Sequence, residues 1–357
     1  MKNRRRGGSA PLSGAGLVLV QSGDDPEALV AELLREPEPR RRERIATDPR
    51  FRLLKVCEIL ATRSRELWFE DPARSMESAR LAVTVAEFLD EAGYGRGLVA
   101  DARALACAHL GNAHRITSDL WRAEEALREA EAHHVVAGVD PLVRAEILSF
   151  QASLRDMQGR FHESAQLLDR TIAIYRAAGE RHREGRALIQ KATVLASEGK
   201  VKDALIITRR GLPKLSFWRE PQALLAARHN LTTLLAADGS YLEAFETLRK
   251  TRRLTLELGE PQLYLVKLRW LEANLASQLG RLDQALAGLV HVRQAFIERG
   301  LSLDVAVVSL DLAVVQARLG RKAEARRLVL EAIPLFESRG MRQDVLAALL
   351  LFKDVAF

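Results

Sequence analysis

QGRFHES (158–164), EGKVKDA (198–204), DGSYLEA (238–244), LGRLDQA (279–285) and LGRKAEA (319–325) are five versions of one phrase. Their glycines, Gly159, Gly199, Gly239, Gly280 and Gly320, step by 40, 40, 41 and 40 residues. A second series, Gly179, Gly259, Gly300 and Gly340, falls half a period later, with LSFWREP (215–221) standing where a further member belongs. Between successive glycines lie apolar-periodic segments of about 16–18 residues, right for helices and too long for strands. Residues 282–299 show the stripe, with Leu282, Ala285, Leu286, Leu289, Val292, Phe296 and Ile297 at helical spacing and Arg293 facing outward. A helix, a glycine turn and a second helix cannot bury their apolar faces alone. A fixed period of this length implies that such hairpins stack into a solenoid.

Positions inside the unit narrow the architecture. Five residues after each loop glycine stands a small residue: Ser164, Ala204, Ala244, Ala285 and Ala325. Seven residues before it stands another: Ala152, Ala192, Thr232, Ala273 and Ala313. Small side chains there let the paired helices approach closely. One period earlier Ser118 takes the loop place, with Ala123 after it and Leu110-Gly111 before it.

This arrangement resembles the tetratricopeptide repeat over roughly residues 96–340. The period, about 40 against the usual 34, and the missing aromatic and proline landmarks are departures, similar to the longer-helix variants of bacterial regulators and signalling adaptors. The resemblance implies an all-α, right-handed α-solenoid of about seven helical hairpins. The expected organisation is a flexible basic, glycine-rich tail (1–25), a short helical N-terminal segment (26–50), the solenoid (51–340) and a C-terminal capping helix (341–357). Within 26–50, Pro26–Glu36 reads as a helix stopped by Pro37-Glu38-Pro39, and Arg40–Arg44 as a solvated helical face.

Composition sets bounds on function. The formal net charge is +7 with a pI near 9.6, which invites a nucleic-acid partner. Cys57 and Cys107 sit in helical segments without metal-like spacing and read as buried thiols of a reducing, cytoplasmic compartment. No run of 18 apolar residues is present, so no membrane span is expected. Gly199-Lys200 lacks the rest of a phosphate-binding loop, Gly14-Ala15-Gly16 fails as a dinucleotide fingerprint, and His162-Glu163 is not continued as a zinc-protease helix. His133-His134 reads as a cationic helix end. The chain is therefore expected to be non-enzymatic, with no catalytic residues, metal or cofactor.

In tetratricopeptide solenoids the first helix of each pair lines the concave groove, and the resemblance carries this onto particular residues. The charged groove positions are Arg115, Glu146, Asp156, Arg186, Lys267, Asp311 and Arg318, a mixture that does not suit phosphate tracking. The candidate partner-binding residues are His109, Asn112, Arg115, Arg186, Gln190, Thr193, His229, Asn230, Lys267, Trp270 and Asn274. Amides satisfy both the N–H and C=O groups of an extended peptide, and Trp270 offers an apolar anchor. The family's chaperone-tail binders clamp a terminal carboxylate with Lys and Asn. Asn230 and Lys267 hold matching places, while Ile189, Thr193 and Leu271 replace other clamp members. A peptide or helix of a partner protein is thus the expected ligand. A nucleic-acid-associated regulator or a small-signal sensor is the alternative.

The closing segment MRQDVLAALLLFKDVAF (341–357) carries more apolar residues than one packed stripe needs, unlike the polar outer face of a normal solenoid cap. Core packing accounts for part of the surplus, and self-association or a partner is the expected use of the rest. Polar replacements at Leu351 and Phe357 should lower the mass seen by light scattering without loss of helicity. An unchanged mass would count against it.

Overall fold

A computed structural model describes residues 25–68, 71–258, 262–337, 350 and 353. The tail (1–24), Gly259, Gly340 and almost all of 341–357, including Leu351 and Phe357, lie outside the described residues. The described chain is all-α and holds no strand. None of its helices is long and apolar enough to cross a membrane.

Two compact units share the chain, Met1–Arg219 and Glu220–Phe357. The first begins with α1 (Pro26–Arg35) and α2 (Glu38–Thr47), followed by α3 (Leu54–Glu66), α4 (Pro72–Glu87) and the single turn α5 (Glu91–Tyr94). Three long hairpins complete it: α6 (Arg96–Ile116) with α7 (Leu120–Ala137), α8 (Pro141–Met157) with α9 (Phe161–Ala177), and α10 (Arg181–Ser197) with α11 (Val201–Gly211). The second unit holds α12 (Pro221–Ala237) with α13 (Tyr241–Leu258), α14 (Gln262–Gln278) with α15 (Leu282–Glu298), and α16 (Ser302–Arg318) with α17 (Lys322–Glu337).

The loop glycines perform the same task five times. Gly159, Gly199, Gly239, Gly280 and Gly320 have φ between 72° and 84°, a conformation costly for a residue with a Cβ. The following amide returns to a carbonyl five residues back, as Arg160 N does to Arg155 O at 2.8 Å, which closes a Schellman motif. Ser118 adopts the same turn at φ 63° without being glycine. The paired small positions are buried, and they meet: the Ser164 hydroxyl donates to Ala152 O at 2.8 Å.

Three local expectations change, and a fourth residue gains a partner. Arg41 is no solvated cation. Its guanidinium donates to Glu36 O (2.7 Å) and Leu34 O (2.9 Å) at the end of α1 and pairs with Glu77 of α4. Arg293 lies between helices, bonded to Ser309 Oγ (2.8 Å) and Glu331 (2.9 Å), while Ile297 of the supposed stripe is exposed. α11 stops early, because Pro213 has no N–H to continue it. There Gly211 crosses Gly185 so closely that a Cβ on either would lie 3.1 Å from the other's carbonyl oxygen. His134 does stand in the last turn of α7, where a carboxylate holds it. Buried Asp101 of α6 faces its Nδ1 at 2.9 Å and accepts the amides of Val139 (2.9 Å) and Asp140 (2.8 Å), fastening the α7–α8 turn.

Removing Asp101 leaves two turn amides and an imidazole without an acceptor. Asp101→Ala should therefore cost about 2–3 kcal/mol in urea denaturation, the usual range for bonds to a charged group. A loss under roughly 0.5 kcal/mol, the size of an ordinary surface substitution, would show that the turn holds itself.

Candidate ligand-binding face

In the first unit, α6, α8 and α10 present their polar stripes to one another at one-repeat spacing. Gln190 of α10 is wholly engaged there. Its Oε1 accepts from Ser149 Oγ (2.7 Å), and its Nε2 donates to Ser149 O (2.9 Å) and Ser153 Oγ (2.8 Å). Thr193 is exposed and donates to its own helix at Ile189 O, 3.2 Å away. Arg186 stands half-buried on the same helix.

The α6 end of this face is different. His109 and Asn112 are buried, and Arg115 donates to Asn112 Oδ1 (2.9 Å) and lies 3.2 Å from Met157 Sδ. His109 stands edge-on to Phe150 with ring centroids 5.3 Å apart. Trp68 closes the group at 5.6 Å from Phe150 and 6.2 Å from His109. Glu146 reaches this cluster from α8, paired with Arg65 and 3.5 Å from His109 Nε2. Buried polar atoms without a hydrogen-bond partner among the described residues gather here: Trp68 Nε1, His109 Nδ1, Asn112 Nδ2 and Asp156 Oδ1. Such groups are rare in folded proteins and each carries a desolvation cost.

Electrostatics follow burial. Burial, reinforced by the charge of Arg65, holds His109 well below the usual histidine range, so its ring is neutral at physiological pH. Burial also raises the Asp156 carboxyl and lowers the Arg115 guanidinium. In each case their mutual attraction opposes the shift without reversing it.

The second unit uses its polar residues internally. Trp270 Nε1 and Asn274 Nδ2 both donate to Asp311 Oδ2, at 2.6 and 2.9 Å, across the one-repeat step from α14 to α16. Trp270 packs edge-on against Phe296 at 5.8 Å, and Arg318 donates to Ser277 O at 2.6 Å. Lys267 is exposed, and Asn230 is half-buried on α12. His229 is half-buried there too, and its Nδ1 has no partner among the described residues. Burial, followed by the charge of Lys267, lowers its pKa. The eleven expected residues therefore fall into two groups in separate units. Trp68 and Phe150 were not among them: Trp68 lies in the irregular turn after α3, outside the period, and Phe150 reads as core.

No protein-family model matches the sequence, and no curated protein matches it either. Solved structures do. A signal-transduction ATPase of the STAND class with a tetratricopeptide-repeat sensor, from Pyrococcus horikoshii, superposes with a TM-score of 0.64 at 13% identity. It covers 94% of this chain and 50% of its own. The apo quorum sensor NprR from B. thuringiensis gives 0.55 at 13% identity over 93% and 97%. A Rap protein complexed with Competence and Sporulation Factor gives 0.52 at 14% over 92% and 98%. The fold is the tetratricopeptide-repeat solenoid.

Within that solenoid Asp311 has a measurable signature. Burial raises its carboxyl above the ordinary value, and the bonds from Asn274 and Trp270 oppose the rise. A folded-state pKa above the unfolded one means that the folded protein holds the proton more tightly, so stability falls as pH climbs through the window above the ordinary carboxylate value. Wild type should gain stability relative to Asp311→Asn as pH drops from neutrality towards about 4. Urea denaturation across that range measures the difference, and a flat or inverted trend refutes it.

Proposed function

We propose that the chain is a non-catalytic binding module whose ligand is an extended peptide, taken along the α6–α8 face of the first unit. The observation that carries this is the cluster of buried polar atoms without a partner among the described residues, beside an aromatic wall. Trp68 Nε1 and Asn112 Nδ2 are donors suited to peptide carbonyls. Asp156 Oδ1 is an acceptor for a peptide amide, and the neutral His109 ring serves as either. A strand-like peptide offers carbonyls and amides alternately, which is the pattern these groups complement. Trp68, His109 and Phe150 supply a surface for an apolar side chain. Arg115, bonded to Asn112 and resting on Met157, is the side chain that swings aside as a peptide enters. Similarity in fold to a quorum sensor and to a Rap protein complexed with Competence and Sporulation Factor supports a sensor-type reading.

Buried polar groups without partners lower stability, so their removal separates binding from folding. His109→Phe and Trp68→Phe each delete one such group while keeping an aromatic ring. Both variants should melt at or above the wild-type temperature. Peptides selected from a random display library on the wild-type protein should bind them at least tenfold more weakly by fluorescence anisotropy, a loss of about 1.4 kcal/mol. Wild-type affinity in both variants overturns the proposal. Loss of binding instead on combined Asn230→Ala and Lys267→Ala replacement moves the site to the second unit.

A further inference from the structure

The α6–α7 hairpin carries a second set of chemistry, pointing away from the peptide face. Cys107 and His109 are two residues apart on α6, about 200° around the helix, so their side chains leave on opposite sides. Cys107 is buried against α7, where Glu129 and His133 stand four residues apart on one face. The Cys107 sulfur, a Glu129 carboxylate oxygen and a His133 ring nitrogen all lie within 4.8 Å of one another. His133 Nε2 is 3.8 Å from Glu129 Oε1.

Among the described residues the three groups have no competing partners. Cys57, the other thiol, donates to Ala82 O at 3.4 Å, whereas Cys107 has no hydrogen bond among the described residues. Among the described residues Glu129 has only His133 as a partner, and His133 only Glu129. Above them opens a cleft of about 460 Å³, lined by Glu129, His133, Ala100, Arg103 and Val136 among others. Arg103 does not occupy the acidic group, because it is paired with Glu91 at 2.6 Å on the rim.

We propose that Cys107, Glu129 and His133 form a three-ligand site for a zinc-class divalent cation, with its fourth position open to the cleft. Sulfur, imidazole and carboxylate are the donors such an ion takes, and a three-residue set with one open position is a known arrangement for it. Metal–ligand bonds near 2.0–2.3 Å place tetrahedral donors about 3.3–3.6 Å apart. The observed spacing reaches that with side-chain movements of roughly an ångström. Burial, followed by the charges of Glu129 and Glu87, pushes the Cys107 thiol up to about 12, so without metal it stays protonated. On binding, the S–H bond breaks as the S–metal bond forms, and the proton leaves to solvent. Thiolate and carboxylate then balance the two positive charges.

The test uses the full chain, stripped with chelator and dialysed. Zinc is titrated by calorimetry, and cobalt(II) is followed by absorbance. One equivalent of zinc should bind, and the cobalt form should show a thiolate-to-metal band in the near ultraviolet that disappears in Cys107→Ser. His133→Ala and Glu129→Gln should each weaken zinc tenfold or more, at least the effect of losing an outer-shell partner. Cys57→Ser and His162→Ala should leave it unchanged. Glu129 is exposed, so its variant keeps the fold and the test holds even where Cys107→Ser perturbs packing. Absence of stoichiometric binding, or wild-type affinity in Glu129→Gln and His133→Ala, overturns the site.

Discussion

Every hairpin depends on the closeness of its two helices where they cross. Ser164 sits against Ala152 so tightly that its hydroxyl reaches the backbone carbonyl. Gly111 approaches the turn around Ala123 and Leu127 so closely that a Cβ there would sit 2.8 Å from Leu127 Cγ. A Cβ on Gly288 would lie 2.8 Å from the Cβ of Ala273. Each crossing brings backbone against backbone, which dispersion rewards only at near-contact distance. It also fixes where the polar stripes of neighbouring first helices meet, because the stripe direction follows from the helix face the crossing buries. The Schellman turns at Gly159, Gly199, Gly239, Gly280 and Gly320 complete the geometry by giving the last carbonyls of the preceding helix partners within the loop.

Once the crossings are set, polar residues on the first helices have two fates. Some meet a complement one repeat away and become struts, as Gln190 does with Ser149 and Asp311 with Trp270 and Asn274. Others meet rings or partly mismatched charges. His109 meets Trp68 and Phe150, and Asp156 faces an Arg115 turned towards Asn112. The first kind rigidifies the stack. The second kind weakens it, and a fold tolerates such groups chiefly where binding needs them.

The basic excess has a similar division. Arg41 pairs with Glu77 and Arg65 with Glu146. Arg155 pairs with Glu124 at 2.7 Å, and Arg293 with Glu331 at 2.9 Å; each joins one helix to another. A planar, five-donor side chain suits this bridging better than lysine does. These arginines are therefore part of the packing, each matched by a carboxylate of another helix.

Much of the fold was legible because period, small-residue positions and turn glycines are local signals that repeat. The helix boundaries from 96 onward lie close to the expected breaks for that reason. The early stop of α11 was not legible, since it comes from Pro213 and the Gly185–Gly211 crossing, which no other unit shares among the described residues. The site was legible only as a set of stripe positions. Whether Trp270 is an anchor or a strut depends on Asp311, 41 residues on, and whether His109 is satisfied depends on Trp68, 41 residues back in an irregular turn. Periodicity names the positions that face each other, but the hydrogen bond exists only if both partners suit. The informative comparison is thus between facing residues of adjacent repeats. On that comparison Asn112 and His109 stand apart from Gln190 and Asn274, although all four look alike when each helix is read alone.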